Sequence, residues 1–167
     1  MILKIYQDKA PVLHKRAQDV AAITPEILKL IEDMKETMYE APGVGLAAPQ
    51  IGKSIRLIVI DPSTEKRSFQ AMINPKIVSQ QGPMLNGLEG CLSVSKWEAF
   101  VERYKTVTVE YTDMHGTRKK ETFTDFPARV VQHEMDHLSG VLFTEKAKDG
   151  KVYTKKEVQK MLEENKL

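Results

Sequence analysis

The 167-residue sequence contains one cysteine, Cys91, and one tryptophan, Trp97. A single thiol excludes an intramolecular disulfide and fits a reducing compartment, where a free thiolate survives as ligand or nucleophile. Net charge is nearly absent: 25 Lys and Arg against 23 Asp and Glu leave a formal +2. That balance marks neither a specific nucleic-acid partner nor a membrane surface, and none is expected. Long apolar runs are missing too. Stretches such as Leu57 to Ile60 fall far short of a membrane span. No basic segment followed by a long apolar stretch opens the sequence, so no secretory signal is expected. Repeats, low-complexity tracts and Gly/Ser linkers are not found. What remains is ordinary globular composition, 41% hydrophobic and 29% charged, in a chain long enough to bury a core unaided. The expectation is one cytoplasmic, monomeric domain over residues 1–167.

Local patterns give the elements. Thr24-Pro25 reads as an N-cap and first-turn proline, followed by Ile27, Leu30, Ile31, Met34 and Met38 at helical spacing and stopped by Pro42-Gly43. The segment GVGLAAPQIG, residues 43–52, is small and aperiodic, as a loop or irregular strand where backbone approaches something closely. Residues 55–60 predict a buried strand, and residues 71–78 further extended structure. Val107, Val109 and Tyr111 alternate with polar residues, and the turn-rich segment 113–116 makes residues 104–124 a hairpin. Asp125 is expected to cap a second helix carrying Val130, Val131, Met135 and Leu138 and ending at Gly140. Thr154 and Glu157 form a capping box for a last helix, Lys155 to Lys166. Central strands flanked by separate helices predict an α+β fold.

The chemistry is concentrated in Gln132-His133-Glu134-Met135-Asp136-His137. Histidines at i and i+4 differ by about 40° around a helix and about 6 Å along it, so both imidazoles reach one ion. Glu134 lies beside them, placed to take a proton from a metal-activated water. A surface pair of histidines is the plainer reading, but the apolar flanks bury this helix, and buried polar groups need partners. The third ligand is less determined. Phe143 stands where a third histidine would fall in one extended form of the motif. Glu157 has the spacing of the downstream glutamate used in other zinc enzymes, yet its capping box already accounts for it. Cys91, in Glu89-Gly90-Cys91-Leu92-Ser93, offers a thiolate, although a lone cysteine is often only a small buried hydrophobe.

Three segments together, GVGLAAPQIG (43–52), EGCLSV (89–94) and QHEMDHLSG (132–140), resemble the signature motifs of the peptide deformylases, in family order and at family spacing. The resemblance covers essentially the whole chain, including Asp8, Pro11 and Leu13. It implies an α+β fold of mostly antiparallel strands around a central metal-binding helix, with an N-terminal and a C-terminal helix. It also implies hydrolysis of the formyl group from N-terminal formylmethionine of newly made polypeptides, releasing formate, and leaves room for a ribosome contact. Cys91, His133 and His137 would hold one Fe²⁺, replaceable by Ni²⁺, Co²⁺ or Zn²⁺, with a fourth position for water. Glu134 would be general base and then acid, while Gln50 and the Leu92 N–H would donate to the developing oxyanion. Val44, Gly45, Gly90, Arg103, Phe126 and Val130 would meet the substrate, its peptide pairing as an added strand. Glu89 and Gln132 would orient the ligands.

Beyond Val94 the sequence departs from the family. It reads Ser95-Lys96-Trp97-Glu98, and Glu98 and Glu102 stand where many members carry a basic residue and a proline. Two carboxylates at the mouth would favour Lys or Arg beyond methionine. Two competing readings remain: a zinc endopeptidase with Glu157 as third ligand, and a closed structural metal site, which would need His14 or His115 as a fourth.

Overall fold

The computed structural model describes residues 1–164. Helix α1 (Pro25–Glu40) is followed by strands β1 (Gly45–Ala47), β2 (Leu57–Ile60), β3 (Gln70–Cys91), β4 (Val94–Thr112) and β5 (Arg118–Thr124), then by α2 (Phe126–Leu138) and α3 (Lys155–Glu163). All strand pairs are antiparallel and the sheet order is that of the chain, β1-β2-β3-β4-β5. The α+β architecture is the one the sequence predicts. Residues 165–167, where the last helix was expected to continue to Lys166, lie outside the described residues.

The all-apolar run Leu57–Ile60 is explained by helices on both faces of the sheet. Ile58 and Ile60 join Val131, Met135 and Leu138 of α2 in one cluster. Leu57 and Val59 join Ile31, Met34 and Met38 of α1 in a second. Alternate side chains of one strand thus feed two cores. A third cluster, built on Leu13, Val94, Val101 and Phe143, closes the end of the β3–β4 ladder.

Helix α1 starts as the sequence predicts, the Thr24 hydroxyl accepting from Ile27 N at 3.3 Å. Helix α2 does not. Asp125 occupies the N-cap position at φ +62°, and its side chain makes no capping bond. Its backbone does the work, the N–H donating to Lys105 O and the carbonyl accepting from Arg129 N. At the other end Gly140 is required. Its φ is +75°, and a Cβ there would lie 2.8 Å from the His14 backbone.

The largest departure is β3. Residues 71–78 were expected to be extended, but the strand runs to Cys91, absorbing Pro83 at an irregularity between Gln81 and Met84. Its partner β4 returns after two residues, Leu92 and Ser93, with Cys91 paired to Val94. The hairpin turn beyond β4 is held by Asp113, whose carboxylate accepts from His115 N and Thr117 N. Among the described residues no helix is long and apolar enough to cross a membrane.

Candidate metal centre

On α2, Ala128, Val130, Val131, Met135 and Leu138 pack into the first core cluster, which turns His133, Glu134 and His137 toward the end of β3. Cys91 arrives there from the last position of that strand. The Cys91 Sγ lies 3.4 Å from His137 Nε2, and ligand atoms of Cys91, His133 and His137 all fall within 4.8 Å of one another. The imidazole rings of His133 and His137 sit 5.3 Å apart, edge to face. Phe143, which rules out a third histidine, stacks on the His133 ring at 5.8 Å.

Glu89 orders this cluster. Its buried carboxylate accepts from Arg103 Nε at 2.9 Å and Nη2 at 2.8 Å, from Arg129 Nη1 at 2.6 Å and from His133 Nδ1 at 2.8 Å. Burial works against its ionisation, but the Arg103 and His133 bonds outweigh that and hold the carboxyl well below its usual range. An ionised carboxylate only accepts, so His133 Nδ1–H donates to Glu89 and the ring turns Nε2 toward the cluster.

The two imidazoles shift in opposite directions. Burial favours neutral imidazole at His133, yet its bonds to Cys91 and Glu89 and the charge of Glu134 raise its proton affinity. His137 goes the other way, lowered by burial and by the neighbouring His133. Its Nδ1 is buried without a partner among the described residues, as is Oε1 of Glu134. One cysteine sulfur, two imidazoles and unsatisfied polar atoms beside them fit a divalent metal with an open position.

Glu134 is 5% exposed, and burial pushes its carboxyl up to about 7, where a group can both take and return a proton. Gln50, 1% exposed, is fixed by Ala47 N donating to Oε1 at 2.9 Å. Its Nε2 therefore points to Ser93 Oγ at 3.1 Å and Cys91 Sγ at 3.5 Å. The cavity above the cluster has a volume of about 390 Å³ and is walled by Val44, Gly45, Gly90, Leu92, Phe126 and Val130, with Gln50, His133 and Glu134 also on its surface.

Arg103 is not brought there. Expected to meet substrate, it is 3% exposed and clamped between Glu89 and Asp136, whose Oδ2 lies 2.6 Å from Nη1; it does not line the cavity. A strand alternation puts it on the inner face, where two carboxylates claim its donors. Gln132 likewise supports the helix rather than a ligand, accepting from Tyr104 N at 3.0 Å and donating to Tyr104 O at 2.9 Å. Glu102 sits outside the cavity near Lys148 at 3.4 Å, so Glu98 alone of the two acidic departures reaches the mouth. Glu157 closes the capping box with Thr154. His14 bonds Asp8 O, and His115 sits in the hairpin turn; neither joins the cluster.

Three contributors were not anticipated. Asp136 braces Arg103, Arg129 braces Glu89, and Lys155 lines the cavity. For Asp136 a signal existed, since a carboxylate inside a buried motif implies a cationic partner. Arg129 and Lys155 carry no such mark in sequence.

A buried carboxyl group beside a cysteine sulfur and two imidazoles, at the floor of an open cavity, defines the site of a metal-dependent hydrolase. Residues 2–153 match the polypeptide deformylase family. A peptide deformylase of Symbiobacterium thermophilum is 47% identical over 87% of this chain and 66% of its own length. Peptide deformylase 2 of a Nostoc species is 39% identical over 98% of this chain and 97% of its own. The crystal structure of peptide deformylase from Thermotoga maritima superposes with a TM-score of 0.85 at 39% identity, covering 89% of this chain and 99% of that one. The chain belongs to the polypeptide deformylase family, the enzymes that hydrolyse the formyl group from N-terminal formylmethionine.

Proposed function

We propose that this chain deformylates formylmethionyl peptides with Cys91, His133 and His137 as metal ligands, Glu134 as the proton carrier, and Gln50 and the Leu92 N–H as oxyanion donors. The observation that carries the reading is the buried Glu134 Oε1, without a partner among the described residues, beside the Cys91–His133–His137 cluster. A divalent cation held by Cys91, His133 and His137 would lower the pKa of a water and polarise the formyl carbonyl. Glu134 takes a proton from the attacking water as its oxygen bonds to the formyl carbon. Negative charge then builds on the former carbonyl oxygen, facing the Gln50 amide. One pre-aimed donor of this kind contributes about 3 kcal/mol to lowering the barrier. As the C–N bond breaks, Glu134 returns the proton to the nitrogen, and a free amino terminus and formic acid leave, the acid losing its remaining proton to become formate.

Val44, Leu92, Phe126 and Val130 would hold the methionine side chain, while Gly45 and Gly90 leave backbone open to pair with the peptide. Arg103 would act through Glu89 on His133 rather than on substrate. The metal is read as Fe²⁺, with Ni²⁺, Co²⁺ or Zn²⁺ also suited to thiolate and imidazole. The chain is read as a cytoplasmic monomer acting on nascent chains, for which a ribosome contact would shorten the search. Anaerobic iron-loaded protein should release formate from formyl-Met-Ala-Ser and leave internal peptide bonds intact. Internal cleavage without formate would favour the endopeptidase reading instead.

A further inference from the structure

The cavity mouth carries a charge that the family motifs do not supply. Glu98 and Tyr153 exchange two backbone hydrogen bonds, Glu98 N to Tyr153 O at 2.7 Å and Tyr153 N to Glu98 O at 2.8 Å. The Tyr153 ring packs edge-on against Phe100 at 6.2 Å, and Val152 packs on the third core cluster. The segment leading into α3 is thus fastened to β4 immediately beside the cavity. Thr154 caps α3, and the first helical residue, Lys155, lies on the cavity wall.

Most charges of the lining are already committed. Arg129 donates to Glu89, Val101 O and Leu85 O, and Glu134 belongs to the chemistry. Glu98 and Lys155 are different: neither side chain has an ionic or hydrogen-bonding partner among the described residues. Glu98 is folded toward Gly90, its Cγ 3.7 Å from where a Cβ on that glycine would stand. Gly90 precedes Cys91, and Glu98 and Lys155 both line the cavity that opens over the Cys91–His133–His137 cluster.

We propose that Lys155, delivered by the C-terminal segment, and Glu98 are opposed specificity residues that read side-chain charge just beyond the methionine of the substrate. Lys155 attracts an acidic side chain and Glu98 a basic one. The two offset each other, so the native enzyme is less selective than either single variant. This rests on the deformylase reading and deepens it.

The test uses full-length metal-loaded enzyme and three C-terminally amidated peptides, formyl-Met-Ala-Lys, formyl-Met-Ala-Glu and formyl-Met-Ala-Ser. The quantity read is the Lys-to-Glu ratio of kcat/KM. Glu98→Gln should lower it and Lys155→Gln raise it, each by about two- to five-fold at low salt, as exposed ion pairs do. The change should fall on KM and fade at high salt. Glu102→Gln, outside the cavity, should leave the ratio at the native value. Ratios equal to native in both cavity variants, a shift of the same sign in both, or an equal shift in Glu102→Gln would overturn the proposal. Absence of formate from all three peptides with native enzyme would instead overturn the deformylase reading on which it stands.

Discussion

A Cβ placed on Gly45 would lie 2.5 Å from Oε2 of Glu134 and 2.9 Å from its Cγ and Cδ. The glycine of β1 is the surface against which the buried carboxylate rests. Its φ is not positive, so what requires glycine here is space, not backbone conformation. Gly45→Ala should therefore spare the fold, because alanine suits a strand paired with Ile60 at least as well. The Glu134 carboxylate must move, and a displacement of about 1 Å at a reacting group costs on the order of 10²-fold. We expect kcat to fall on that scale while metal content and Tm stay near native. Native kcat would show that Glu134 does not need its observed position.

Cys91→Ser tests the ligand set. A serine hydroxyl keeps the size but does not ionise near neutrality, leaving two imidazoles where three donors converge. Metal measured after gel filtration should drop to a small fraction of one ion per chain, with the circular dichroism spectrum unchanged. Full occupancy would return Glu157 or another group to consideration.

Glu89→Gln probes the buried charge network. The change strips Arg103 and Arg129 of a shared carboxylate and removes the acceptor-only partner of His133. Breaking a buried ion pair from one side costs about 3–5 kcal/mol, and loss of a ligand-orienting carboxylate weakens metal binding about 10–100-fold. Both should appear together, as a lower Tm in metal-free protein and a weaker metal affinity. A lower Tm with unchanged affinity would reduce Glu89 to a structural role.

Asp61 gives a pH dependence away from the metal. It is buried at the end of β2 and accepts from Ser63 N at 3.0 Å, Ser63 Oγ and Tyr39 Oη. Burial opposes ionisation, but these bonds outweigh it and lower the carboxyl below its usual value. The folded state therefore binds this proton less readily than the unfolded state. The stabilisation is present above the unfolded value of about 4 and is lost as pH falls below it. Asp61→Asn should have a lower Tm than native protein at pH 5–7, with the two curves converging below pH 4. A gap that stays constant to pH 3 would remove Asp61 from the acid response.

What could be read from sequence follows from the range of each signal. The Thr24 cap, the α2 stripe, the 113–116 turn and the Thr154–Glu157 box are decided within a few residues, and each lies where expected. The clustering of Cys91, His133 and His137 was legible because two histidines one helical turn apart mark one helix face and three family motifs pointed to the cysteine. Arg103 was misplaced because its partners, Glu89 and Asp136, lie 14 and 33 residues away. The length of β3 was hidden by Gly82, Pro83, Gly87 and Gly90, which end isolated strands but are tolerated where a long partner carries the ladder. At Gly87 the missing side chain makes room for the Arg129 guanidinium, 2.7 Å from an added Cβ. The expected Asp125 side-chain cap failed because the residue adopts φ +62°, a choice set by the turn from β5 into α2.

The central claim is that one buried carboxylate beside a Cys/His/His metal site carries the proton in formyl hydrolysis. Glu134→Gln preserves volume and removes only the base. The decisive measurement pairs metal stoichiometry with formate release from formyl-Met-Ala-Ser on the same anaerobic Fe²⁺-loaded samples. The account predicts about one metal per chain in native and variant protein alike, with formate release reduced about 10²–10⁴-fold in the variant. Near-native formate release from fully metal-loaded Glu134→Gln would contradict it.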